Sequence, residues 1–259
     1  MHLIQLGRRA RQRAAAVLTT ALLAGGAVLA APAAHADVPT FSDVDASNQF
    51  QANISWMVEN GIVRGYDDGT FRPTAAVSRQ AFAAFLARYT NMYGGEFDEY
   101  VAPTDAVFSD VQPGHPFHRE ISYLVEWGVI GGFADGTFRP DAPVSRQAAS
   151  AFLTRLFWED ADLAELAEYQ LFTDVPAFHQ FAGPINMLVA SDVVTGWPDG
   201  TFRPTAPVSR QAVSAFLNRF DTEITQELLA EQRVALSVPG GGDEVLAPSA
   251  DSLFADAIG

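Results

Sequence analysis

The chain has 259 residues, 48% of them apolar and 11% aromatic, which is enough to bury a core and too rich in large side chains for a disordered segment. Acidic residues outnumber basic ones 31 to 16, and the formal charge of −15 argues against nucleic acid as a partner, because phosphate binding needs a basic face. Cysteine and lysine are both absent, which excludes disulfides, thiolate metal sites and a cysteine nucleophile, and leaves arginine as the cationic tool.

The first 36 residues read as a signal peptide. Arg8, Arg9, Arg11 and Arg13 precede an apolar stretch from Ala14 to Ala30, and Ala34-His35-Ala36 offers small residues to a signal peptidase. Cleavage after Ala36 is expected to leave a secreted chain that starts at Asp37 and carries a charge of −19, since the leader holds four arginines and no carboxylate.

Beyond the leader the sequence repeats. Phe41-Ser-Asp-Val44, Phe108-Ser-Asp-Val111 and Phe172-Thr-Asp-Val175 are each followed, in step, by Asp68-Gly-Thr-Phe-Arg-Pro73, Asp135-Gly-Thr-Phe-Arg-Pro140 and Asp199-Gly-Thr-Phe-Arg-Pro204. Val77-Ser-Arg-Gln-Ala81, Val144-Ser-Arg-Gln-Ala148 and Val208-Ser-Arg-Gln-Ala212 complete each unit with no insertion. In the first unit Phe50, Ile54, Met57 and Val58 share a helical face, and Gly61 follows where a helix would stop. The equivalents are Phe117, Ile121, Leu124 and Val125 before Gly128, and Phe181, Ile185, Leu188 and Val189 before Asp192. Ile62-Val63 then leads to the Asp68-Gly69 turn and Pro73. Ser78 has the chemistry to cap a second helix with Phe82, Phe85, Leu86 and Tyr89 on its apolar stripe.

One helix-loop-helix unit cannot bury both stripes, so the three are expected to pack as one mainly α module over residues 37–222, with repeats at about 41–90, 108–156 and 172–220. The joins, at about 90–107 and 157–171, are acidic and read as solvated connectors with some helix. Residues 223–259 form a short acidic tail, expected to be partly disordered, with a short helix near Glu223 to Val234 and a Pro239 to Gly242 linker.

The Phe-Ser/Thr-Asp-Val opening, the Asp-Gly-Thr-Phe-Arg-Pro loop and the Val-Ser-Arg helix start, in three tandem copies, closely resemble the S-layer homology repeat over nearly all of residues 41–220. The resemblance implies a pseudo-threefold helical module that binds secondary cell-wall polysaccharide, often carrying a pyruvylated amino sugar, and so anchors exported proteins without a covalent bond. The family's second helix often opens Thr-Arg-Ala-Glu. Here it opens Ser-Arg-Gln-Ala, so Ala81, Ala148 and Ala212 stand where a glutamate would close a capping box.

Arg79, Arg146 and Arg210 stand at the first helical position, where the helix dipole disfavours a cation by about 0.3–1 kcal/mol. Two accounts fit. In one, the guanidinium and the free amides of the helix start, beside Ser78, Ser145 and Ser209, hold an anion, and replacing the arginine costs folding little. In the other, the arginine pairs internally with a repeated carboxylate such as Asp43 or Asp68. Tyr66, Phe133 and Trp197, one per loop, can stack on a sugar or anchor the loop. Asp68, Asp135 and Asp199 complete the candidate set for an anionic glycan. Arg72, Arg139 and Arg203 read chiefly as loop holders that bond carbonyls or carboxylates, with ligand contact as the lesser alternative. His115 and His179 answer to Asn48 and read as capping or packing residues of the first helix rather than metal ligands.

No phosphate loop, nucleophile elbow or metal-binding histidine pair is present, so no catalytic residue, cofactor or metal is expected. The expected function is non-catalytic binding of a cell-wall glycopolymer by a secreted, wall- or surface-located protein. The alternative is a surface scaffold that assembles with itself or with an envelope protein through its tail.

Overall fold

The structure is a computed structural model that describes residues 40–92, 96–156 and 160–237. The predicted leader, residues 1–36, and the tail beyond residue 237 lie outside the described residues. Seven α-helices occur among the described residues: α1 (Gln51–Glu59), α2 (Arg79–Asn91), α3 (His118–Glu126), α4 (Arg146–Arg155), α5 (Asp160–Leu166), α6 (Ala182–Ala190) and α7 (Arg210–Ser237). The chain divides into two compact units between Glu223 and Ile224. The second unit's described residues are the C-terminal part of α7, and the helix predicted near Glu223 to Val234 is found there.

The first helices start and stop as their sequences require. Asn48 Oδ1, His115 Nδ1 and His179 Nδ1 each accept the amide two residues on, from Phe50, Phe117 and Phe181, at 2.9, 3.2 and 3.2 Å. At the other end Gly61 and Gly128 both adopt φ of 68°. Their amides and those of Ile62 and Val129 turn back onto the last carbonyls of α1 and α3 in the 6→1 and 5→2 pattern. Asp192 takes the same left-handed position with φ of 54° at the end of α6.

The loop that follows is held by the opening motif. Asp43 accepts the amides of Phe71 and Arg72, both at 2.7 Å, and Asp110 and Asp174 do the same for Phe138 with Arg139 and Phe202 with Arg203 at 2.8 Å. Two successive amides converge on one carboxylate because Arg72, Arg139 and Arg203 sit at φ of 56–57°, a conformation costly for a residue with a Cβ and sustained here by the clamp. Phe41, Phe108 and Phe172 pack over Phe71, Phe138 and Phe202, each pair 5.3 Å between ring centroids. The Phe71, Phe138 and Phe202 rings are fully buried, worth about 1.5–3 kcal/mol each. The packing also explains Gly132, since a Cβ there would meet Phe108 at 2.4 Å.

The repeats close into a ring. Val77 donates to the Val208 carbonyl, Val208 to Val144, and Val144 back to Val77, at 2.9, 3.0 and 2.8 Å. Around this triangle α2, α4 and the start of α7 bury Phe82, Phe85, Leu86 and Tyr89 with Ala149, Phe152 and Leu153, and with Val213, Phe216, Leu217 and Phe220.

The joins differ from expectation. Rather than solvated connectors, they bury Phe97, Leu163 and Leu166. Arg119 of α3 gathers the carbonyls of Tyr100, Phe97 and Asp98, while Asn186 of α6 donates to those of Leu166 and Tyr169, both at 2.8 Å. The acidic composition of the joins concealed these few apolar anchors.

Candidate functional site

The repeated arginines lie at the junctions between repeats. Arg79 reaches into the second repeat, where Nε donates to the Phe138 carbonyl at 2.7 Å and Nη2 to that of Gly131 at 3.1 Å. Arg146 does the same in the third repeat with Phe202 and Thr195, both at 2.8 Å. Arg210 closes the ring in the first repeat with Phe71 and Arg64 at 2.7 and 3.1 Å.

Neither account of these arginines anticipated carbonyl partners. Among the described residues none of the three has a carboxylate in ion-pairing range, because Asp43 and its equivalents clamp the loop amides and Asp68, Asp135 and Asp199 pair with Arg72, Arg139 and Arg203 at 2.9, 2.9 and 3.0 Å. The three side chains are buried, with 6%, 7% and 8% exposure for Arg79, Arg146 and Arg210. Burial pushes the Arg79 and Arg146 guanidiniums down to about 10, which leaves both charged at neutral pH, and lowers that of Arg210 as well. Each spends Nε and Nη2 on the neighbouring repeat, and Nη1 has no acceptor among the described residues. Their removal therefore breaks contacts between repeats, contrary to the expectation that folding loses little.

The helix-start amides are also committed. Ser78, Ser145 and Ser209 accept from the amides of Ala81, Ala148 and Ala212 at 3.3, 3.3 and 3.4 Å. Arg79 and Gln80 donate to Ala142 and Pro140 of the next repeat at 2.9 and 3.0 Å, and the other two junctions repeat the pattern with Ala206 and Pro204, and with Ala75 and Pro73. The expectation of free amides is corrected accordingly, and positive charge at each junction resides in the guanidinium.

Tyr66, Phe133 and Trp197 come together with the arginine of the preceding repeat, not their own. The guanidinium carbon of Arg79 lies 4.9 Å from the Phe133 ring centre, Arg146 4.3 Å from Trp197, and Arg210 5.0 Å from Tyr66. The loop arginines lie over the same rings, Arg72 at 3.7 Å from Tyr66, Arg139 at 3.8 Å from Phe133 and Arg203 at 4.5 Å from Trp197. Tyr66 and Phe133 are each 40% exposed, so the rings sit at the mouth of the junction above the buried cation. Asp68, Asp135 and Asp199 are held down at about 2 by the Thr70, Thr137 and Thr201 hydroxyls and then by the loop arginines. Each junction thus combines a buried cation, a half-exposed ring and a loop ion pair. The loop arginines hold the loop through a carboxylate as expected, and their stacking on the rings becomes visible in three dimensions alone. No cluster of potential metal ligands and no helix long and apolar enough to cross a membrane occurs among the described residues.

Comparison with known proteins agrees with this architecture. The S-layer homology domain model matches residues 40–83, 107–150 and 171–213, just over half of the chain. The cellulosome-anchoring protein of Acetivibrio thermocellus is 31% identical over 163 residues, 61% of this chain and 34% of that protein. The S-layer protein sap of Bacillus anthracis is 26% identical over 213 residues, 82% of this chain and 24% of the relative. The surface-layer 125 kDa protein of Lysinibacillus sphaericus is 26% identical over 215 residues, 82% of this chain and 17% of the relative. The chain spans no more than about a third of the length of these relatives. With three matched repeats forming three closed junctions, the chain belongs to the S-layer homology domain family and is a secreted cell-surface protein.

Proposed function

We propose that this cell-surface anchoring module binds an anionic cell-wall glycopolymer non-covalently at the three junctions between its repeats. The observation that carries the reading is the triplet of buried guanidiniums without a carboxylate partner, each with Nη1 unspent. A buried charge is costly when it lacks a counter-charge, and three are retained. A carboxylate borne on a sugar, such as a pyruvyl ketal, would meet Nη1 of Arg79, Arg146 or Arg210. The sugar ring would lie against Phe133, Trp197 or Tyr66, and the loop pairs built on Asp135, Asp199 and Asp68 would border it. Ser78, Ser145 and Ser209 support this site by fixing the helix start. A polymer that engages several junctions gains affinity from multivalency, which offsets the repulsion expected from the acidic surface. The role is structural rather than catalytic, with a leader over residues 1–36 and the module over residues 37–222.

Co-sedimentation with purified cell walls tests the reading. Binding should survive protease treatment of the walls and be competed by free wall polymer. Loss after protease treatment would point instead to an envelope protein partner. A Phe133→Ala, Trp197→Ala and Tyr66→Ala triple variant, which leaves the carbonyl contacts of the arginines in place, should remain folded and lose wall binding.

A further inference from the structure

The first repeat holds a cavity that the junctions do not use. It has a volume of about 530 Å³ and lies between the C-terminal ends of α1 and α2 and the short turn Glu96–Asp98 of the first connector. Its lining includes Asn60, Arg64, Arg88, Asn91, Phe97 and Asp98 but neither Tyr66, Arg72 nor Arg210.

We propose that this cavity is a fourth binding site, specific to the first repeat, for the carboxylate or phosphate of an acidic saccharide. The walls are rigid. Asn91 Nδ2 donates to Asp98 Oδ2 at 2.6 Å while the Asp98 amide returns a bond to Asn91 Oδ1 at 3.3 Å, and Arg119 stacks 4.4 Å from the Phe97 ring as it holds the turn's carbonyls. Arg88 gives Nη1 to the Ile62 carbonyl at 3.1 Å, and its nearest carboxylate, Glu120, stands 4.0 Å from Nη2. Arg64 is exposed and has no ion pair among the described residues. Two arginines thus line one cavity, one of them without an ion pair among the described residues, in a chain of net charge −15.

The fold does not require the Arg64 side chain. Gly131 and Thr195 occupy the position of Arg64 in the other repeats, and all three supply the same thing, a backbone carbonyl to a junction arginine. Asn60 answers to Trp127 and Ser191, and Asn91 to Thr222 in the third repeat. Of the two cations, Arg64 is therefore peculiar to the first repeat, while Arg88 recurs as Arg155 and Arg219. The bland account is that Arg64 and Arg88 merely offset the negative ends of α1 and α2. It predicts no ligand.

The test is nuclear magnetic resonance of the full mature chain titrated with D-glucuronate, with inorganic phosphate and with D-glucose. The proposal expects saturable shifts at the Asn60 and Asn91 side-chain amides and the Arg64 Nε–H with glucuronate or phosphate, the tighter of the two telling which group the site takes. It expects none with glucose. Arg64→Gly, which installs the residue native to the second repeat, should weaken binding at this site at least tenfold while wall co-sedimentation through the junctions persists. The Tyr66, Phe133 and Trp197 triple alanine variant should do the reverse. Absence of anion-dependent shifts at Asn60 and Asn91, equal shifts with glucose, or unchanged affinity in Arg64→Gly would overturn the proposal without touching the junction reading.

Discussion

The three junctions and the two connectors solve one problem, joining a repeat to the next, in opposite ways. At the junctions every distance recurs, with arginine Nε 2.7, 2.8 and 2.7 Å from its carbonyl and the loop ion pair at 2.9, 2.9 and 3.0 Å. The connectors share nothing at residue level. One is a three-residue turn gathered by Arg119, the other a helix, α5, held by Asn186, and the repeat equivalents of that pair are Gly183 and Ser122. The ring demands identical geometry where it must close on itself. A connector only has to cover the outer face of one first helix, and many sequences can do that.

Damage at a junction should therefore spread through the ring, and damage at a connector should stay local. Arg146→Gln is expected to have the largest effect. It removes charge-assisted bonds to two carbonyls and leaves Phe202 and Thr195 unpartnered, costing about 3 kcal/mol in chemical denaturation, with one transition for the module. Gly132→Ala comes next at about 2 kcal/mol, because its Cβ would meet the Phe108 ring at 2.4 Å and the Thr137 carbonyl at 2.7 Å.

Asn186→Ala should cost less, about 1 kcal/mol. It frees the Leu166 and Tyr169 carbonyls but also removes a buried Oδ1 that has no partner. Hydrogen exchange should rise around residues 160–171 and not at Val77, Val144 or Val208; exchange at that triangle would show that connectors and ring are one cooperative network.

Acid should separate the regions again. Asp68, Asp135 and Asp199 are depressed from 3.8 to about 2 in the folded chain. Their loop-fastening contribution is therefore complete above pH 3.8 and lost as pH falls through 2. Loop resonances of the three repeats should shift together in that window. Asp192→Gly is expected to have the smallest effect and the opposite sign. Relief of a left-handed φ of 54° should raise stability by about 0.5–1 kcal/mol and Tm by about 2 °C, read by calorimetry.

Much of the module was legible because its determinants are local. Ser78 caps because it precedes an apolar helical stripe, Gly61 and Gly128 stop helices because only a left-handed residue fits there, and Asp192 betrayed itself by standing in their column. His115 and His179 were legible as helix-entry residues because Asn48, a common turn residue, shares their place; they hold the turn before the helix and pack on Phe117 and Phe181, which are the N-caps. The connector anchors were not legible. Phe97, Leu163 and Leu166 are isolated apolar residues in acidic surroundings, and no period marks which ones a neighbouring helix will cover.

By itself the sequence determined three in-register helix-loop-helix units, their stops and second-helix caps, and the family to which the repeats belong. The local features follow from spacing within about thirty residues, and the repeats from self-similarity along the chain. Only the tertiary structure decided where each repeated arginine goes. Arg79, Arg146 and Arg210 bind loop carbonyls 59, 56 and 139 residues away, and the last contact exists because the third repeat returns to the first. A guanidinium at a helix start looks the same in sequence whether it waits for an anion, pairs with a carboxylate or bridges two repeats. What settles it is which backbone the packing of the apolar stripes brings within 3 Å, and that is a property of the closed ring rather than of any one unit.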